Sequence, residues 1–298
     1  MSSCELFAAT LPSGSPTFNE MLATVVEGTR KWARSYPLAP RYRPPAVALR
    51  LRAVDGTPLA AVRIAGPPGA PVSIVLVHGF SNWSRSRELH QVANELSGWA
   101  HVVAFDLRGH GRSGGRSTLG VKEPWDVAAA VTAALAFAPD TPVVALGISL
   151  GGASALMAAG RGSPVAGVIS VSAPAWRDFS SPAGARLAAW CQTRRGRALL
   201  VALSGTRVDV GGGEPERVDE AMAAIAPRFV VIAHDPQEPV FGPEHAETLF
   251  SWAREPKALW WTPDGGHGRS MLTPELIERI RIEISARLPP AGTATRVG

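Results

Sequence analysis

A serine at position 149 lies two residues after Gly147 and two before Gly151, at the end of the apolar run 143–148 and ahead of a stretch of small residues. A serine hydroxyl attacks poorly unless it is held exposed beside a base, and a sharp strand-to-helix turn provides that exposure. In such a turn, side chains two before and two after the serine would collide, and glycine removes them. Ser149 is therefore a candidate nucleophile. Among 30 glycines the spacing alone also reads as a small-residue packing turn, so its neighbours must decide.

Three further segments fall after apolar runs in the same way. His78-Gly79-Phe80 follows the run 73–77, where a glycine beside a sharp turn lets the backbone N–H of Phe80 face a crevice. Asp106-Leu107-Arg108-Gly109-His110-Gly111-Arg112-Ser113 follows 101–105. Gly265-Gly266-His267-Gly268 follows the last apolar run, late in the chain. Strands are expected at 47–53, 59–64, 73–77, 101–105, 143–147, 165–171, 229–233 and 258–262, with Asp55-Gly56 turning the first two into a hairpin. Helical patterns fall near 85–96, 123–137, 151–159, 244–253 and 274–288. Strands alternating with helices imply right-handed crossovers and a mostly parallel sheet covered on both faces.

Composition bounds the function. With 298 residues, 46% of them hydrophobic, the chain can bury a large core. The net charge of +5 comes from scattered Lys and Arg without a basic stripe, so no nucleic-acid partner is expected. Cys4 and Cys191 form no C-x-x-C pair and no H-E-x-x-H spacing occurs, so neither a metal nor any other cofactor is expected. A reducing, cytoplasmic setting is expected, because the first twenty residues lack a basic segment followed by an apolar one. Residues 141–160 carry no charge, but Pro142 and the glycines at 147, 151, 152 and 160 argue for a buried strand and helix rather than a membrane span.

The expected organisation is an N-terminal extension over 1–45, a core over 46–172 and 228–288, a small helical cap over 173–227 and a flexible tail over 289–298. In the extension, Thr17 and Glu20 form a capping box before an amphipathic helix whose apolar face is Phe18, Met21, Leu22, Val25 and Val26, and a Pro-rich linker follows at 37–45. The interval 173–227 shows no clear strand and is rich in arginine.

The ordered motifs H-G-F at 78–80, D-x-R-G-H-G-x-S at 106–113, G-x-S-x-G-G at 147–152 and G-H at 266–267 resemble the α/β-hydrolase family over roughly 47–288. The resemblance implies an α/β fold, a mostly parallel eight-stranded sheet with the nucleophile after the fifth strand, and the chain order serine, acid, histidine. His267 would then be the base. His78 and His110 fit motif positions that shape loops, and His90, His101, His234 and His245 match no catalytic position. For the acid, the segment 229–240 resembles the family's H-G-x-x-D-x-x-V-P. Matching His234 to its histidine puts Asp235 at the glycine and Glu238 at the acid, so Glu238 is preferred and Asp235 is the alternative. Asp264 is read as shaping the glycine turn. The resemblance also implies oxyanion donors at the backbone N–H groups of Phe80 and Leu150.

Trp83, Trp176, Phe179 and Trp190 either line an acyl pocket or form cap core. The expected activity is hydrolysis of a small-molecule carboxylic ester or thioester through an acyl-enzyme. Two alternatives stay open: an acyltransferase or biosynthetic thioesterase acting on acyl-CoA or carrier-protein substrates, suggested by the arginines of the cap, and a non-catalytic ligand-binding protein of the same fold.

Overall fold

The computed structural model describes residues 42, 46–176, 189–190, 193–209, 218–238, 240–263 and 265–288. The expected amphipathic helix of the N-terminal extension, Phe179, Asp264 and the tail lie outside them.

Strands β1 (Ala46–Arg52), β2 (Pro58–Ile64), β3 (Ser73–Val77), β4 (His101–Phe105), β5 (Val143–Ile148), β6 (Gly167–Val171), β7 (Phe229–His234) and β8 (Lys257–Trp261) form one sheet in the order β1-β2-β4-β3-β5-β6-β7-β8. The hairpin expected at Asp55-Gly56 forms: Gly56 takes a φ of 81° and Asp55 accepts the Thr57 N–H. β2 is antiparallel to both β1 and β4, and every other pair is parallel. β3, β5, β6 and β7 are buried at every position, which explains why they read as unbroken apolar runs rather than alternating ones.

Helices cover both faces. Val75 and Val77 of β3 point toward a cluster with Val127 and Val131 of α2 (Glu123–Phe137), Leu156 of α3 (Leu150–Gly160) and Leu249 of a helix at Pro243–Trp252. The alternate residues Ile74 and Leu76 join Leu89 and Leu96 of α1 (Arg87–Leu96) and Ile277, Ile280 and Ile284 of a C-terminal helix at Pro274–Arg287. Ser86 caps α1, and Thr273 caps the C-terminal helix by accepting the Leu276 N–H.

Between β6 and β7 the described residues hold α4 (Arg194–Ser204) and α5 (Val218–Ala223), so the helices at Pro243–Trp252 and Pro274–Arg287 are α6 and α7. α5 lies so close to α3 that a Cβ on Gly160 would sit 2.4 Å from the Ala221 carbonyl oxygen. Met222 and Ile225 belong to the same core cluster as α2 and α3. This end of the interval expected as a cap therefore packs as part of the helical layer. The segment after α4 pairs Val208 with Ser117, and the Arg207 N–H donates to Gly109 O at 2.8 Å.

β3 lies between β4 and β5, so the crossovers leaving it and β5 diverge and open a crevice at the C-terminal end of the sheet. The segments following β3, β5, β7 and β8 all emerge at that end because these strands are parallel.

Candidate active site

Ser149 forms the turn between β5 and α3 with φ 52° and ψ −119°, a conformation that costs a non-glycine residue about 1–3 kcal/mol and persists only when its surroundings impose it. They do. Ser149 N–H donates to Val171 O at 2.8 Å, and Ser149 O accepts the Ala153 N–H at 3.0 Å. A Cβ on Gly147 would sit 2.4 Å from Gly151 O, as the flanking-glycine argument requires. The need for Gly151 has a different origin: its Cβ would strike the carbonyl oxygens of His78 and Val77 at 2.4 and 2.5 Å, at the end of the neighbouring β3 and just beyond it.

His267 follows β8 in the glycine turn. Its Nε2 lies 3.2 Å from Ser149 Oγ, and its Nδ1 lies 2.5 Å from Glu238 Oε2. A carboxylate only accepts hydrogen bonds, so the proton resides on Nδ1, and Nε2 presents its lone pair to the serine hydroxyl. The Glu238 side chain is fully buried and that of His267 is 26% exposed. The other oxygen of Glu238 accepts the Phe241 N–H at 2.5 Å, and the Phe241 ring meets the imidazole of His267 edge-on at 5.6 Å. Phe241 is itself held by His234, whose Nε2–H donates to Phe241 O at 3.1 Å.

Asp235, the alternative acid, faces elsewhere. Its Oδ2 accepts the Gly266 N–H at 2.7 Å and its Oδ1 the Gln237 N–H at 2.9 Å. One residue beyond His267, the Gly268 N–H donates to Ser172 Oγ at 2.9 Å, and Ser172 Oγ–H points to Met271 Sδ at 2.8 Å. Sequence reasoning assigned no role to Ser172 or Phe241, and used His234 only as the histidine that aligns the acid motif. Only the position of Ser172 directly after β6 could have drawn attention to it.

The loop after β3 runs against the serine: a Cβ on Gly79 would lie 3.3 Å from Ser149 Cβ. His78 ties down the peptide that joins Gly79 to Phe80, its Nδ1–H donating to Gly79 O at 2.7 Å while its Nε2 accepts the Leu107 N–H at 3.0 Å. Carbonyl and N–H oppose each other across a trans peptide, so the Phe80 N–H points away from His78. His110 performs the same task one residue on, accepting the Ser81 N–H at 3.1 Å and donating to Arg108 O at 2.9 Å. Both imidazoles must be neutral to accept. Burial pushes His78 down to about 4, and burial together with the neighbouring His78 does the same to His110. Leu150, the first residue of α3, has an N–H beyond reach of any intrahelical acceptor.

The rest of 106–113 is scaffold. Asp106 accepts from Ser84 and from the Arg112 N–H, and Arg108 pairs with the buried Asp126 and with Asp55. Of the four aromatic residues read as either pocket lining or cap core, Trp83 is buried, Trp190 is half-buried, and Trp176 is exposed and stacked on His245 at 4.1 Å. Phe179 lies outside the described residues. Among the described residues no three His, Cys, Asp or Glu side chains are grouped to hold a metal, and no helix is long and apolar enough to cross a membrane.

A sheet of this order, with a serine turn after β5, is the α/β-hydrolase fold, and residues 72–203 match the model of the alpha/beta hydrolase fold family. Among solved structures, the chain is similar to an esterase of Pyrococcus furiosus (18% identity, TM-score 0.67, covering 85% of this chain and 98% of that one). It is also similar to a serine hydrolase without a lid from Xanthomonas campestris (19%, TM-score 0.58, covering 84% and 98%). A third is the esterase domain of a Rhodothermus marinus protein (21%, TM-score 0.55, covering 81% and 96%). Comparison with curated proteins finds no match.

Proposed function

We propose that this protein is a serine hydrolase that cleaves a small-molecule carboxylic ester or thioester through an acyl-enzyme. The observation that carries the reading is the continuous hydrogen-bonded series from Ser149 Oγ through His267 to the buried Glu238. Ser149 Oγ attacks the acyl carbon while His267 Nε2 takes its proton, and Glu238 stabilises the imidazolium that forms. The carbonyl oxygen becomes an oxyanion that accepts hydrogen bonds from the N–H groups of Phe80 and Leu150. Collapse expels the alcohol or thiol, which leaves with the proton from His267. Water then attacks the acyl-serine, giving its proton to His267, and the acid is released as Ser149 recovers its hydrogen. The esterases among the structural relatives favour an ester substrate, though their resemblance is one of fold.

Turnover of short p-nitrophenyl esters tests the reading. The protein should hydrolyse them, and Ser149→Ala should lower kcat by about a millionfold. Retained turnover in that variant, or none in the parent with any activated ester, would refute it. Comparing acyl-CoA with oxygen esters separates the two substrate classes.

A further inference from the structure

We propose that Asp235 is a positioning residue that sets the distance between Glu238 and His267, an inference that rests on the catalytic reading of those two side chains. Asp235 is 2% exposed and directly follows β7. Three of its oxygens are engaged, and all three serve the turns bearing the acid and the base. Oδ1 accepts the Gln237 N–H at 2.9 Å and the main-chain oxygen accepts the Glu238 N–H at 3.1 Å, which closes the turn that carries the acid. Oδ2 accepts the Gly266 N–H at 2.7 Å, in the turn that carries the base. One carboxylate thus joins two segments 31 positions apart in sequence.

The placement of these bonds matters more than their number. Gly266 and Gly268 flank His267, and each has its N–H held by a side chain, Asp235 on one side and Ser172 on the other. Both glycines adopt a φ of 68°, so the turn reverses tightly around the histidine and depends on external anchors for its placement. Of the two anchors, only Asp235 also holds the acid. Without it, the 2.5 Å contact between Glu238 and His267 would rest on two separate anchors, Ser172 at Gly268 and Phe241 at Glu238, with no side chain tying one turn to the other. The position that the resemblance assigns to glycine is thus occupied here by a group with work to do.

Asp235→Ala and the isosteric Asp235→Asn test this. Asp235→Ala should lower kcat on p-nitrophenyl esters by about 10–100-fold with KM within about threefold, because misplacing a catalytic group by about 1 Å costs up to about a hundredfold. Asp235→Asn should fall in between, since it keeps one acceptor oxygen. A purely stabilising residue would lower Tm and leave kcat of the folded protein intact, and that result would overturn the proposal. Hydrogen–deuterium exchange of the parent protein supplies a readout independent of variant folding and of any ester. The Gly266 amide should be protected, and exchange at the rate of an open loop would overturn the proposal by itself. Failure of the catalytic reading looks different: no ester turnover in the parent, with Gly266 still protected.

Discussion

The turn carrying Ser149 is held by backbone packed against backbone, whereas the turns carrying Glu238 and His267 are held by side-chain hydrogen bonds. On the serine side, Gly147 meets the backbone of Gly151, and Gly151 meets the carbonyls of Val77 and His78, all between central, fully buried strands. On the acid and base side, Asp235, Ser172 and Glu238 supply the acceptors for Gly266, Gly268 and Phe241. Close packing tolerates no added atom, while a hydrogen bond can be lost and the chain remain folded. Substitutions at the glycines of the serine turn should therefore damage the fold, and those on the other side should damage turnover first.

The largest effect on stability is expected for Gly151→Ala. Its methyl would press on two carbonyl oxygens that cannot move without shifting β3, so stability should fall by about 3 kcal/mol or more in thermal unfolding. A near-normal Tm would show that the serine turn is less constrained than its packing indicates.

Glu238→Gln should leave the fold intact and still lower kcat by about ten-thousandfold. The reason is local: the Phe241 N–H donates to Oε1, which fixes the carbonyl of the new amide there and turns its NH₂ toward His267. The imidazole proton would then move to Nε2, and the serine would lose its base. A loss of under about tenfold would contradict that assignment.

Acid should weaken the loop after β3. His78 and His110 have folded-state values of about 4 against an ordinary 6.5, so the unfolded chain binds more protons between those limits. Their contribution is complete above pH 6.5 and is lost as the pH falls through about 4, on the order of 3 kcal/mol for His78, with His110 adding in the same direction. Unfolding measured from pH 7.5 to 4 should show Tm dropping across that window, and a flat profile would contradict neutral, buried imidazoles. The smallest effect is expected for Trp176→Ala, on a side chain that is 37% exposed and stacked on His245. Unfolding should reveal a change of no more than about 1 kcal/mol.

Much of the framework was legible in the sequence because it is written in local pattern. The eight expected strands lie within two residues of those observed, since apolar runs bounded by Gly, Pro and Asp leave few alternatives. The short gap from the last strand to His267 likewise required the histidine to lie at the C-terminal end of the sheet. Two kinds of information were out of reach. The preference for Glu238 over Asp235 came from the resemblance alone, because how a turn rotates its side chains is not encoded by the two intervening residues; the structure turns Glu238 to the imidazole and Asp235 to Gly266. The approach of α5 to α3 was hidden as well, because it depends on Gly160 meeting Ala221 from a distant part of the chain. Phe241 illustrates the same limit, acting through its main chain on Glu238 as much as through its ring.

The central claim is that Ser149 is a nucleophile activated by His267. A fluorophosphonate, which reacts only with an activated serine, followed by peptide mapping by mass spectrometry, tests it most directly. A single adduct on Ser149 is expected, formed at least about a hundredfold more slowly in His267→Ala and absent from Ser149→Ala. An adduct on another residue, or equal labelling of the parent and His267→Ala, would contradict it.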